Sequence, residues 1–284
     1  MSRAVDHLTR RFPQRRALVT GAASGLGLEI CRRLAAAGWN LGMLDLHPER
    51  LAQARQSLNT ADSAVLTFHA DVSDEAAMTQ AVKRCAQSLG GLDLVINNAG
   101  VAAAGSVRDT PSEDWQWVLG INLLGCVHGC RAALPFLSPE QGGLIINIAS
   151  AAGFVCGPCM GPYNASKAAV IALSETLAQE VHGTRIQTSV AMPGFFKTHL
   201  LDDVRAPPAE TAIARKLMNT SRYTVQEAAE DILGAAAAGR FYIVVPGRYR
   251  LLWRFKRWLP LRFLAAFPAM RAKMAARQRA GEAG

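Results

Sequence analysis

From Arg16 to Val245 the chain alternates short apolar runs with amphipathic stretches. The runs at 17–20, 40–45, 64–70, 92–97, 143–150, 186–192 and 241–245 have strand length and composition. Between them, segments such as 26–38, 73–90 and 164–181 carry apolar residues at helical spacing. Strands that are apolar throughout, separated by helices, predict burial on both faces. The fold class is therefore α/β, a doubly wound parallel sheet of seven strands flanked by helices. With no linker-like break, residues 16–247 read as one domain, preceded by a basic extension at 1–15 and followed by a basic amphipathic one at 248–284. The longest stretch without periodicity, 194–223, predicts a loop, either disordered or a lid over a site.

Composition changes this picture in one respect. The net charge of +9 suggests a polyanion partner until it is located. Residues 248–284 hold ten Lys/Arg against Glu282, residues 1–16 hold five Arg against Asp6, and the remainder is mildly acidic. Charge confined to tails points to a surface contact, and no nucleic-acid partner is expected. Cys31, Cys85, Cys126 and Cys130 sit in apolar helix-like stretches, which suits buried thiols in a reducing compartment and no disulfide framework. No apolar core precedes Ala17 as in a secretory signal, and no uninterrupted apolar run has the length of a membrane span. The expected location is cytoplasmic, with peripheral membrane contact as an alternative; no metal is expected.

The first strand runs directly into Thr20-Gly21-Ala22-Ala23-Ser24-Gly25-Leu26-Gly27, and a helix follows. Glycines let the backbone turn and approach a pyrophosphate, and a helix N-terminus offers N–H groups to the anion. Asp45 closes the second strand, 24 positions after Gly21. A carboxylate there accepts from ribose hydroxyls and repels a 2′-phosphate, which favours NAD. Arg50 and His47 nearby keep NADP as the alternative.

At this point the residues resemble a known family. The spacing Gly21-x-x-x-Gly25-x-Gly27 is similar to that of the short, single-domain branch of the short-chain dehydrogenases/reductases. Further blocks agree in order: Asp71-Val72, Asn97-Asn98-Ala99-Gly100, Ser150 followed thirteen residues later by Tyr163-Asn164-Ala165-Ser166-Lys167, and Pro193-Gly194 with Thr198. The resemblance spans residues 16 to about 245. It implies a Rossmann-like fold and a dinucleotide held by Gly21, Ser24, Gly25, Leu26, Gly27, Asp45, Asp71, Val72, Asn98, Ala99, Gly100, Tyr163, Lys167, Pro193, Gly194 and Thr198. It also implies Tyr163, Lys167, Ser150 and Asn122 as the catalytic set, with Ser150 and Tyr163 meeting the substrate. A homodimer or homotetramer joined through the helices that hold Asn122 and Tyr163 is implied as well.

Those residue types suit hydride chemistry on a small-molecule alcohol or carbonyl compound. The nicotinamide handles the hydride, so the protein must supply orientation, charge and a proton path. Tyr163 and Lys167 are four apart and so share a helix face. An ammonium near the phenol, assisted by the oxidised nicotinamide, is expected to lower its pKa from about 10. Ser150 is placed to donate to the substrate oxygen. The resemblance gives Lys167 the nicotinamide ribose and Asn122 a water held against Lys167. The i,i+4 pair favours carbonyl/alcohol interconversion, since family members acting on carbon–carbon double bonds carry the two residues further apart.

Two further features compete for attention. Cys156-Gly157-Pro158-Cys159 copies a thioredoxin tetrapeptide, yet it lies between Ser150 and Tyr163, where this family lines its substrate pocket. An oxidative bridge there would alter the pocket. In residues 248–264, Leu251, Leu252, Phe255, Trp258 and Leu259 form one helical stripe, Arg250, Arg254 and Arg257 another, and Pro260 ends or kinks the helix. The segment is suited either to a membrane interface or to packing over the pocket or a neighbouring subunit. Phe154, Val155, Met160, Phe195 and Phe196 suggest a lipophilic substrate. Two other readings stay open, a dinucleotide sensor without turnover and a scaffold attached to a membrane by its tail.

Overall fold

The computed structural model describes residues 3–58, 63–138, 140–197, 200, 202 and 204–266. Seven strands, β1 (Arg16–Thr20), β2 (Asn40–Asp45), β3 (Val65–His69), β4 (Leu94–Asn97), β5 (Gly143–Ile148), β6 (Ile186–Pro193) and β7 (Tyr242–Val245), form one sheet. Its order is β3-β2-β1-β4-β5-β6-β7, with every neighbouring pair parallel. Each strand coincides with an apolar run to within one or two residues at either end, and the doubly wound Rossmann-like sheet is the one expected.

Eleven α-helices connect and cover the strands among the described residues: α1 (Arg3–Arg11), α2 (Gly25–Ala36), α3 (Pro48–Gln56), α4 (Glu75–Leu89), α5 (Ser112–Leu119), α6 (Gly125–Ala133), α7 (Ala152–Val155), α8 (Gly161–Glu180), α9 (Pro208–Asn219), α10 (Val225–Ala237) and α11 (Gly247–Trp258). Successive strand residues point to opposite faces, and both faces are covered. Leu18, Leu44, Val95, Ile145 and Val190 join one core with Val82 of α4, Cys126 of α6 and Val170 of α8. Val19, Met43, Ile96, Ile146 and Ala191 join the other with Ile30 of α2 and Ile232 of α10.

A single π turn at Gly120–Leu124 links α5 to α6, and the stretch 112–136 is long and apolar enough to cross a membrane by length and composition alone. Half of its apolar window is buried within the protein and it carries the buried Asn122, as befits a core helix.

Two regions differ from the sequence expectation. The stretch 194–223 is not all loop, because α9 occupies Pro208–Asn219. Its Pro207-Pro208 start reads as a breaker, but a proline in the first helical turn costs no hydrogen bond and presets φ. The N-terminal extension supplies a core helix. Ala4, Val5 and Leu8 of α1 and the following Phe12 are buried against α10 and Trp39, whose indole donates to Thr9 Oγ1 at 2.9 Å. Leu8→Ala should therefore destabilise the protein by about 2–5 kcal/mol, the range for emptying a filled core site. The readout is the urea midpoint; an unmoved midpoint would show that α1 lies outside the cooperative unit.

Candidate active site

All the loops that carry the expected residues leave the carboxyl ends of the strands. The strand order reverses between β1 and β4, and that reversal opens a crevice between the loops that follow them. Thr20 closes the bottom of the crevice: its hydroxyl accepts from the Asn98 and Ala99 N–H groups, both at 3.0 Å. Asn98 Nδ2 returns donations to the Thr20 and Gly21 carbonyls. Sequence reasoning assigned Thr20 no role, although its position before the glycines was visible.

The glycine loop has the shape a dinucleotide requires. Gly21 holds φ +63°, and a Cβ on Gly27 would run into the Gly21 carbonyl and the Asn98 amide. α2 starts at Gly25, and its N-cap Ser24 forms no side-chain cap. No acidic residue lies in its first turn, so the positive end of the helix faces the loop without a competing carboxylate. Leu26 is buried in the core and anchors that turn. Asp45 is half-buried at the end of β2; its two oxygens accept from the Ala23 and His47 N–H groups at 2.9 and 3.1 Å. Each carboxylate oxygen can still accept a ribose hydroxyl. Asp71 accepts from Ser73, the Val72 side chain is buried against α6, and Gly100 lies against Asn122 and Lys167. The residues present therefore fit a nicotinamide dinucleotide.

The residues expected to be catalytic converge near the end of β5 and the start of α8. Ser150 follows β5, where its Oγ accepts from the Ala152 N–H at 3.1 Å and faces the Pro193 carbonyl at 3.5 Å. Tyr163 is 7% exposed, with Ser150 near enough to pull its phenol pKa down. Lys167, one turn along α8, is buried and donates to the Ile148 carbonyl at 2.9 Å, with Nζ 5.8 Å from the Tyr163 ring centre. Asn122, turned inward by the π segment, uses Oδ1 for the Val101 N–H and Nδ2 for the Val101 carbonyl and Ser166 Oγ. Its side chain thus stitches the loop after β4 to α8 and leaves only a second lone pair of Oδ1 for the expected water. Gly194 donates to the Val245 carbonyl at 2.7 Å. Thr198 lies outside the described residues.

The electrostatics correct one expectation. Burial pushes the Tyr163 phenol up, and the Ser150 hydrogen bond, not Lys167, provides the opposing pull. Lys167 is itself pulled down to about 8 by burial. One of the three ammonium protons serves the Ile148 carbonyl. In the chain alone Tyr163 is held as a neutral phenol, ready to give a proton.

The apolar lining is also narrower than expected. Phe154 and Phe196 belong to the core, while Val155, Met160 and Phe195 remain half-buried near the site. Cys156 is exposed, Cys159 is half-buried, and both are free thiols with left-handed φ, 53° and 60°. Beside Cys159, a cleft of about 420 Å³ is bordered by Gly105, Thr110, Asp114 and Arg205. Arg205 ties the segment before α9 to α5, pairing with Asp114 at 3.1 Å and lying 4.0 Å from the Trp117 ring centre.

The family model described as short chain dehydrogenase matches residues 15–209. The 2-(R)-hydroxypropyl-CoM dehydrogenase of Xanthobacter autotrophicus is 34% identical over 249 residues, covering 82% of this chain and 97% of that protein. The NADP-dependent (R)-specific alcohol dehydrogenase of Lentilactobacillus kefiri is 34% identical over 200 residues, covering 69% and 79%. A short-chain dehydrogenase/reductase from Burkholderia phymatum, crystallised with NAD, superposes with a TM-score of 0.81 at 29% identity, covering 86% of this chain and 92% of its own.

Lys167 yields a stability prediction. A folded-state pKa near 8, below the ordinary 10.5, means the native state carries the full burial penalty below pH 8 and sheds it as pH climbs towards 10.5. Lys167→Met should stabilise the cofactor-free protein at pH 7 by about 1–3 kcal/mol, net of the lost hydrogen bond. The difference from the wild type should shrink between pH 8 and 10.5 in urea titrations. A constant difference would contradict the assignment.

Proposed function

Because the chain belongs to the short-chain dehydrogenase family of oxidoreductases, we propose that it interconverts an alcohol and a ketone or aldehyde at Tyr163. The observation that supports this reading best is the cluster itself: a buried phenol beside Ser150, one helical turn from Lys167, on the crevice that the glycine loop shares. When bound, the nicotinamide supplies or accepts the hydride at the substrate carbon.

The chain's own residues handle the oxygen. Tyr163 gives its hydroxyl proton to the carbonyl oxygen in reduction and recovers one in oxidation. Ser150 donates to the same oxygen where negative charge develops. Lys167 holds the nicotinamide ribose and, with Asn122 fixing the loop against α8, keeps the crevice floor rigid. Gly21, Gly25 and Gly27 let the backbone close on the pyrophosphate, and Asp45 takes the adenosine ribose, which favours NAD over NADP. Relatives with either coenzyme exist, so the side chain at this position decides. The half-buried Val155, Met160 and Phe195 favour a lipophilic substrate, and the chain is read as a homodimer or homotetramer.

Tyr163→Phe should lower kcat by at least about 100-fold, the lower end for removing a general acid, while dinucleotide binding stays within about twofold. A carbonyl panel with NADH and NADPH side by side supplies the assay. Wild type that binds NADH yet stays inert across the panel, with Tyr163→Phe changing nothing, would return the dinucleotide-sensor reading to favour. In the same assay, wild type should prefer NADH, and Asp45→Ala should reduce that preference by roughly tenfold, as loss of a repulsive carboxylate requires. A wild-type preference for NADPH would refute the role given to Asp45.

A further inference from the structure

The C-terminal helix shows two unlike faces. Tyr249, Leu252 and Trp253 pack on the core, with the Trp253 ring 5.1 Å from that of Tyr242. A Cβ on Gly194 would collide with the Tyr249 ring, so this inner face also backs the loop after β6. The sequence stripe is thereby divided: Leu252 turns inward while Leu251 and Trp258 do not. On the outer face Leu251 is 70% exposed, Trp258 80% and Leu261 79%, and Leu264 is exposed as well. Arg250, Arg254 and Arg262 are exposed around them, Arg248 and Arg257 are exposed at the edge over the Tyr249 and Trp253 rings, and no acidic residue occurs from 247 to 266. α11 ends before Leu259, helix resumes at 260–266, and Phe263 folds back, buried, 5.8 Å from the Phe255 ring centre. The two helical pieces therefore present one surface.

We propose that this surface docks on an anionic lipid bilayer. Trp and Leu side chains seat at the boundary between headgroups and acyl chains, while arginines meet lipid phosphates. An acidic protein or a polynucleotide would match the charge but leave Leu251, Trp258 and Leu261 in water. A second copy of the chain would match the apolar residues but set this arginine cluster against an identical one. An anionic bilayer answers both features together. None of the docking residues belongs to the Tyr163 cluster, so docking and chemistry can fail separately.

The test is flotation of the full-length protein with vesicles of phosphatidylcholine alone and of phosphatidylcholine with a third phosphatidylglycerol. The protein should float with the anionic vesicles only, and less as salt rises. The triple variant Leu251→Ser, Trp258→Ser, Leu261→Ser, which keeps every arginine, should lose at least about tenfold in binding with its circular dichroism and dinucleotide binding unchanged. Should it fail to fold, Leu251→Ser with Leu261→Ser gives the same reading. Arg250→Gln with Arg254→Gln should weaken the salt dependence. The proposal falls if wild type does not float with anionic vesicles, or if the serine variants float as well as wild type. It falls equally if wild type stays unbound and the serine variants change only the oligomer size in light scattering, which would make the face an interface between copies.

Discussion

A parallel sheet buried on both faces leaves its strand ends as the place where polar chemistry can meet water. Both faces here are filled, one by α1, α2 and α10 and the other by α4, α6 and α8. Every described candidate site residue outside the helices consequently falls at a carboxyl end, and the reversal between β1 and β4 decides where along that edge the crevice opens. Thr20 matters more than its size suggests. One hydroxyl accepting two N–H groups joins the loop after β1 to the loop after β4, so the glycine loop and the wall facing it cannot move independently.

The same burial that makes the sheet stable works against the catalytic residues. The role proposed for Lys167 uses its charge, yet burial pulls its pKa down to about 8. The Ile148 carbonyl offsets part of that cost with a hydrogen bond but adds no countercharge. Burial also holds Tyr163 neutral. The cost is borne by the folded state, and stability and activity therefore pull in opposite directions at Lys167.

What could be read from the sequence was whatever local spacing dictates. The seven strands follow from apolar runs, the shared face of Tyr163 and Lys167 from a spacing of four, and the phosphate loop from glycines placed between a strand and a helix. What could not be read depends on tertiary neighbours. The burial of α1 needs α10, which lies more than two hundred residues away. Phe154 and Phe196 look like pocket residues until the core claims them, and a phenol beside a lysine looks acidified until burial acts on both. α9 was hidden for a different reason: two prolines resemble a break whether they end a helix or begin one.

The charge follows a comparable logic at larger scale. Positive residues at the N-terminus accompany a helix whose apolar side is covered by the fold, so they are the solvated face of a structural element. At the C-terminus the apolar residues are divided, with Tyr249, Leu252, Trp253 and Phe263 covered and Leu251, Trp258, Leu261 and Leu264 left in the open among arginines. A helix needed only for packing would bury its large side chains and leave short polar ones outside. Keeping an exposed tryptophan beside exposed arginines makes sense where the surroundings are themselves amphipathic, greasy below and anionic above. One helix thus serves both ends of the protein: Tyr249 backs the loop after β6, while Arg250 and Arg254 stand exposed beside Leu251 and Trp258.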